Sequence, residues 1–390
     1  MAVGQWNASA SLMVRQVISA PAQGVTPEGI SDPIECADAA ARLIRQCEKR
    51  LNLKLPVVTV AVHGNHLQAV NTAASVSLRD PQAGITSWDV DRVMEACKTL
   101  SLDYDRQILH AFERGFTVDD QSGIKNPVGL YGRKLTAELH MVTALNAGVQ
   151  NLTRVLNRAG LEVEGMVLPV IAVAEAVLSD LDRDVGVTLV RIGEHQTEVV
   201  FFSEGYAREV QLIPAGLLSL SEKLGRALRL PRAAARDLLS GIRTLEELPD
   251  QAEKLLMEVK TGEAVRSFEK GQVVEAVHSK LESFLQQIYQ AVQANPYFQE
   301  SVSGIVMVGP PVSWGGFLEL AETIFNMPIR LGVPKDLQVD QDIQLTRSHT
   351  TVLGLLRYCR KIRQPGIPPW PTSLGLRWLA KGRRILGEYF

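Results

Sequence analysis

The sequence predicts an α/β fold of two or three compact units, and three observations carry that prediction. Short β-branched or alternating apolar runs recur between stretches whose apolar residues are spaced by three and four, the alternation of strand and helix that marks this class. At 390 residues the chain exceeds one average domain. Its composition, 46% hydrophobic and 22% charged, is globular and excludes a disordered or fibrous chain.

The elements follow in order. Residues 36–51 read as a helix, and Val57-Val58-Thr59-Val60-Ala61-Val62 as a buried strand. Thr86 starts a helix that runs to about Leu100, with Asp89 completing a capping box. Leu135, Ala137, Leu139 and Met141 alternate with Thr136, Glu138 and His140, as in a half-buried strand. A helix follows from Asn146 to Arg158. Residues 187–191, 198–203 and 207–213 predict three successive strands joined by tight turns at Gly193 and Gly205. Helices are then expected over 218–228, 231–240 (Pro231 suiting a first turn) and 273–294. A strand at 302–308 and a helix at 315–325 complete the series.

Charge and cysteine usage narrow the function. Lys and Arg number 41 against 43 Asp and Glu, for a net charge of −2. Without a basic surplus to neutralise phosphates, a nucleic-acid partner is not expected. No apolar run approaches the roughly 20 residues of a membrane-spanning helix, and the polar Met1 to Ser11 stretch does not read as a secretion signal. Cys36, Cys47, Cys97 and Cys359 form no Cys-x-x-Cys pair and read as reduced structural thiols of a cytoplasmic protein. His63-Gly64-Asn65-His66 reads as a strand end, and no metal site is expected.

The last eighteen residues follow a stiff linker, Gln364-Pro365-Gly366-Ile367-Pro368-Pro369-Trp370-Pro371. Projected on a helix, Leu374, Trp378, Ile385 and Tyr389 share a narrow sector, which Leu379, Leu386 and Phe390 extend. Arg377 and Arg384 lie opposite, with Lys381 and Arg383 at the boundaries. An aromatic-rich apolar face against a basic face predicts a helix lying in an anionic membrane surface; the alternative is a tail docked on its own domain. Gly375, Gly382 and Gly387 each weaken the isolated helix by about 1 kcal/mol, so folding is expected to couple to lipid docking.

The stretch Gly123-Ile124-Lys125-Asn126-Pro127-Val128-Gly129-Leu130 closely resembles the signature of the FtsA family, actin-like bacterial division proteins that anchor the FtsZ ring to the membrane. Trp88-Asp89-Val90-Asp91-Arg92-Val93 resembles that family's helix start, residues 106–118 its strand pair, and 138–147 its next strand and the beginning of a helix. The resemblance spans about residues 25–360 and implies an actin-like (ribonuclease H-like) two-domain fold. An FtsA-type strand-helix-strand insertion would occupy 63–163. Residues 1–62 and 164–186 would form the first large domain, and 187–360 the second, with a helical subdomain at about 215–294. Residues 361–372 would be the linker and 373–390 the amphipathic membrane-targeting helix.

The resemblance also implies where ATP and magnesium would sit, and the chain departs from the family there. An Asp-x-Gly-Thr hairpin should precede a strand at 12–18, yet residues 1–11 hold no acid, and the hairpin is expected to be missing. The second hairpin, Asp-Ile-Gly-Gly-Gly-Thr in the family, reads Arg191-Ile192-Gly193-Glu194-His195-Gln196. Here a guanidinium would repel the metal and Glu194 the phosphates. The adenosine-side Gly-Gly pair reads Gly309-Pro310, where Pro310 lacks a donor. The Ala-Glu-x-x-Lys element is replaced around Ala233-Ala234-Ala235-Arg236-Asp237. The expectation is a chain without ATP hydrolysis or tight ATP binding, unless Arg191 meets a phosphate directly.

For partners, the resemblance implies the acidic C-terminal peptide of FtsZ on basic residues of a long helix. Arg266, Lys270, Glu275 and Lys280 stand there, with lysines at 270 and 280 where the family carries arginines. Other division proteins and self-association into filaments are also implied. The expected role is a tether and scaffold at the inner face of the cell membrane. The alternatives are an ATP-driven polymerising FtsA and an actin-like type IV pilus assembly factor.

Overall fold

The computed structural model describes residues 1–6, 11–26, 28–80, 82–100, 102–242, 245, 256–261, 264–341 and 343–362. Contacts divide the chain into two units, Met1–Val177 with Pro334–Phe390, and Leu178–Val333.

The first unit opens with β1 (Ala2–Trp6) and β2 (Leu12–Val17), an antiparallel pair running from Ala2 opposite Val17 to Trp6 opposite Leu12. The two strands that flank the hairpin expected to be missing are therefore present, while residues 7–10 between them lie outside the described residues. Residues 7–11 read Asn-Ala-Ser-Ala-Ser. The minimal pair β3 (Val25–Thr26) and β4 (Gly29–Ile30) leads into α1 (Pro33–Leu51). This helix begins three residues before the sequence-predicted start, because Asp32 accepts from the backbone N–H of Ile34 and Glu35 at 2.9 Å each and Pro33 occupies the first turn. β5 (Val57–Ala61) follows. Expected to be buried, it has Val57 39% exposed and its other four residues half-buried. His63 to His66 connect it to the next strand and are not a strand end.

The insertion contains β6 (Leu67–Ser77), α2 (Ser87–Leu100), β7 (Arg106–Val118), β8 (Gln121–Ile124) and β9 (Lys134–Leu145), its sheet ordered β6-β9-β7-β8. Residues 106–118 are one long strand where the sequence suggests a strand pair. The capping box of α2 forms: Thr86 N–H donates to Asp89 Oδ2 at 3.1 Å, and Asp89 N–H to Thr86 Oγ1 at 3.3 Å. Leu135, Ala137, Leu139 and Met141 of β9 are fully buried and meet Val93 and Cys97 of α2. The other face of β9 is less wet than alternation predicts, since His140 is buried and its Nδ1 lies 2.6 Å from Asn71 Oδ1.

After β9 come α3 (Asn146–Arg158), β10 (Glu162–Val167) and α4 (Pro169–Val177). β10 pairs in parallel with β5 and stands outside the inserted sheet, so the insertion's strands end at Leu145. α4 is apolar on nearly every side and buried on nearly every side, with only Glu175 half-exposed. Between these parts lies His110, whose Nε2 accepts from Leu168 N–H at 3.0 Å and whose ring stacks on Phe112 at 5.8 Å.

The second unit starts with the short α5 (Asp180–Val185) and the meander β11 (Val187–Ile192), β12 (Thr197–Ser203) and β13 (Tyr206–Ile213). Then come α6 (Leu217–Leu228), α7 (Arg232–Gly241), the hairpin β14 (Leu256–Thr261) and β15 (Ala264–Glu269), α8 (Lys270–Val292), α9 (Pro296–Gln299), β16 (Ile305–Val308), α10 (Phe317–Phe325) and β17 (Ile329–Leu331). One sheet runs β13-β12-β11-β16-β17, its first three strands antiparallel and its last two joined in parallel. Phe201, Phe284, Leu285, Ile288, Phe298, Phe317 and Phe325 fill the core beside it. The strand expected over 302–308 is shorter, since Val302 is 78% exposed and pairing starts at Ile305.

The chain then returns. β18 (Leu337–Val339) pairs in parallel with β2, and α11 (Thr350–Ile362) packs on α4. A Cβ on Gly354 would run into the Ala172 carbonyl, so the two helices touch through bare backbone. Arg357 donates to the carbonyls of Glu175 and Asp336 at 3.2 Å each. Residues 334–362 thus belong to the first unit, which corrects the sequence-based reading of a second domain running unbroken from 187 to 360.

Burial of His110 lowers its pKa from the usual histidine value to about 4. The folded state therefore refuses a proton that the unfolded state accepts below about pH 6.5. Stability is full above that pH and should fall by about 3 kcal/mol as pH drops through the window down to about 4, with no further loss from this group below it. Denaturation midpoints of the parent and His110→Leu across that range check this; the variant should lose this part of the slope.

Candidate functional site

In the second unit, β11 and β12 are joined by residues 193–196, with Ile192 opposite Thr197 and Arg191 directly opposite Glu198. The register thus makes an arginine and a glutamate cross-strand neighbours, and Arg191 Nη1 lies 3.3 Å from Glu198 Oε1. Gln196 Nε2 donates to the same oxygen at 3.2 Å. Glu198 is wholly buried, and a carboxylate without water requires a cation and donors. Arg191 and Gln196 supply them.

The hairpin tip is bound to the helix that follows. Gly193 N–H donates to the Gln196 carbonyl at 3.0 Å and closes the turn. The carbonyls of Gly193 and Glu194 accept from Leu217 N–H at 3.0 Å and Leu218 N–H at 2.8 Å. Free first-turn amides of a helix are the donors that hold an anion, and here two of them are directed at the chain's own carbonyls. The close approach has room for no side chain at Gly216, where a Cβ would lie 2.5 Å from the Glu194 carbonyl oxygen.

The fold gathers three of the sequence-predicted fragments. Glu194 pairs with Arg236 Nη2 of α7 at 2.8 Å, so the 191–196 stretch meets the 233–237 stretch. That pair is largely exposed and weak on its own. Gly309, at φ +142°, rests against the Ile192 carbonyl, and Pro310 begins a 3-10 turn to Ser313. Around the tip, two positive and two negative side chains therefore pair among themselves. Glu198, Gln196 and Arg236 were not singled out as site residues. Counting outward from a four-residue connection at Gly193 would have placed Glu198 opposite Arg191.

Elsewhere the candidate residues separate. On α8, Glu275 is exposed and Lys280 half-buried, about 140° apart around the helix, so they share no face. The side chains of Arg266 and Lys270 lie outside the described residues, as do Leu374, Trp378 and the rest of 373–390. Among the described residues no helix is long and apolar enough to cross a membrane.

The signature stretch is a clamp. Gly123 and Gly129 adopt φ +75° and +87°, and Asn126 Oδ1 accepts from Val128 N–H at 3.1 Å. Gly129 N–H donates to the Ile85 carbonyl, and Ile85 N–H to the Leu130 carbonyl, each at 2.8 Å. Ile85 precedes the capping box, so the signature holds the start of α2. Ile124 and Pro127 are buried, while Lys125, Val128 and Leu130 face outward.

The family model for the SHS2 domain inserted in FtsA matches residues 64–143, the stretch holding β6 to most of β9. Cell division protein FtsA of Pseudomonas aeruginosa is 27% identical over 357 residues, covering 91% of this chain and 85% of that protein. FtsA of Escherichia coli is 24% identical, covering 87% and 82%. A chain of a PilM–PilN type IV pilus biogenesis complex aligns over 91% of this chain and 92% of its own with a TM-score of 0.59, at 13% identity, a likeness of fold alone. The actin-like two-domain fold, the inserted subdomain and relatives that match over most of their length make the chain similar to the FtsA family of cell division proteins, as a divergent relative.

Proposed function

We propose that the chain tethers and scaffolds the division ring at the inner face of the cell membrane, without hydrolysing ATP. One observation carries the second clause. Where the family resemblance calls for an acid and three glycines to serve magnesium and phosphate, Arg191 is paired with buried Glu198 and Glu194 with Arg236. A nucleotide would have to displace those pairs and the bonds from Leu217 and Leu218. Isothermal titration with Mg·ATP is expected to give neither micromolar binding nor phosphate release. Both together would replace this reading with an ATP-driven polymerising FtsA.

The tether is the segment after the proline-rich linker. Trp378, Leu374, Ile385 and Tyr389 supply the apolar face, and Arg377, Lys381, Arg383 and Arg384 the attraction to anionic lipid. Deleting residues 373–390, or changing Trp378→Glu, is expected to release the protein from anionic liposomes in co-sedimentation. Equal pelleting of the deletion and the parent would refute the assignment.

The scaffold role takes the C-terminal peptide of FtsZ on the β15–α8 region, with other division proteins and self-association into filaments as further contacts. Lys270 and Lys280 supply positive charge for an acidic peptide. Lys270→Glu with Lys280→Glu should weaken binding of that peptide about tenfold at low salt, and less as salt rises. Undiminished affinity in the double variant would move the interface elsewhere.

A further inference from the structure

β6 runs for eleven residues, Leu67–Ser77, and all eleven pair with β9, from Leu67 opposite Ala144 to Ser77 opposite Lys134, with no shift of register. Among the described residues no strand lies on its other side. A strand in that position turns about half of its backbone N–H and C=O groups away from its one partner.

Proteins ordinarily guard such an edge with charge, proline, a bulge or shortness. The far edge of this same sheet is guarded in that way. β8 has four residues, includes Gly123 at φ +75°, pairs with β7 through a register shift, and is followed by Lys125 and Pro127. Within β6 itself there is no such device, although at its end the Ser77 carbonyl accepts from Arg92 Nη2 of α2 at 2.6 Å. Its sequence, Leu-Gln-Ala-Val-Asn-Thr-Ala-Ala-Ser-Val-Ser, holds no charged residue and no proline.

We propose that β6 is a homotypic interface: two copies of the chain pair antiparallel through β6 about a two-fold axis near Thr72, joining two four-stranded sheets into one. In that register Thr72 faces its copy, Val70 faces Ala74, Asn71 faces Ala73 and Ala69 faces Ser75. Side chains on the α2-covered face meet their like, and so do those on the open face. No like charges oppose each other. The first charged residues beyond the strand, Arg79 and Asp80, come opposite Asn65 and Gly64. A two-fold contact of this kind is self-complementary and closed. A foreign extended peptide would find less to recognise, because the open face offers only Asn71, Ala73, Ser75 and Ser77, small and neutral. The pairing does not depend on the tether reading, although under that reading each pair would bring two lipid anchors to one surface.

Sedimentation velocity of the full chain, without lipid, tests it. The parent should show a concentration-dependent monomer–dimer equilibrium. Ala73→Lys sets two like charges beside the axis and should raise the dissociation constant about tenfold. In the monomer that lysine faces exposed Glu138 across β9, so the fold is retained and circular dichroism should match the parent. Ala73→Cys should give a dimer with a short bis-maleimide, above any background from the native thiols seen in the parent. Ser122→Cys, on the guarded edge, should not. A parent that stays monomeric at every concentration overturns the proposal and leaves the edge to another occupant, such as an extended peptide. A dimer that Ala73→Lys leaves at full strength, or that Ala73→Cys does not capture, overturns it equally.

Discussion

A carboxylate sealed from water must be met by a cation, and the ion pair between Glu198 and Arg191 is the constraint on which the second unit's functional face depends. It comes from hairpin register, two residues directly opposite on β11 and β12. Removing either partner alone would leave a charge in an apolar sheet, a change that typically costs about 3–5 kcal/mol. Arg191 is therefore a structural member of the sheet. Its presence, the amides of Leu217 and Leu218 directed at the hairpin tip, and the Glu194–Arg236 pair are mutually consistent: a face neutralised from within.

The insertion shows a different economy of contacts. β9 is its centre, with partners on both sides and a fully buried row of side chains against α2. The residues that carry the family resemblance, 123–130, lie at the sheet's guarded edge and serve the backbone. Two glycines at positive φ and an Asn-Pro turn let the chain reach Ile85 and fix the start of α2. The contrast between its guarded edge at β8 and its unguarded edge at β6 is a property of sequence at two strands of one sheet, and such a difference implies different surroundings for the two edges.

Much of this was legible beforehand wherever one segment contained its own cause. The Thr86–Asp89 box, the helix from Asn146 to Arg158, the buried row of β9 and the three-strand meander rest on spacing within a few residues, and each formed as spacing required. What was not legible lacked a local signature. Ala-Val-Gly-Gln-Trp reads as a polar tail, yet it is a strand because β2 lies alongside it. His140 sits on the polar side of an alternating strand, yet it is buried because its hydrogen-bond partner Asn71 is on β6.

By itself, then, the sequence determined the class of fold, most helix and strand identities, and the family likeness carried by residues 123–130. These follow from periodicity and residue chemistry, which act over one or two turns of chain. Only the tertiary structure decided that residues 334–362 return to the first unit, that Arg191 faces Glu198 while Glu194 meets Arg236, and that β6 has one strand partner among the described residues. Each of those is a pairing between segments that are not adjacent or a register between strands. Backbone hydrogen bonds and burial settle such pairings for the whole chain at once, so no window of residues contains them.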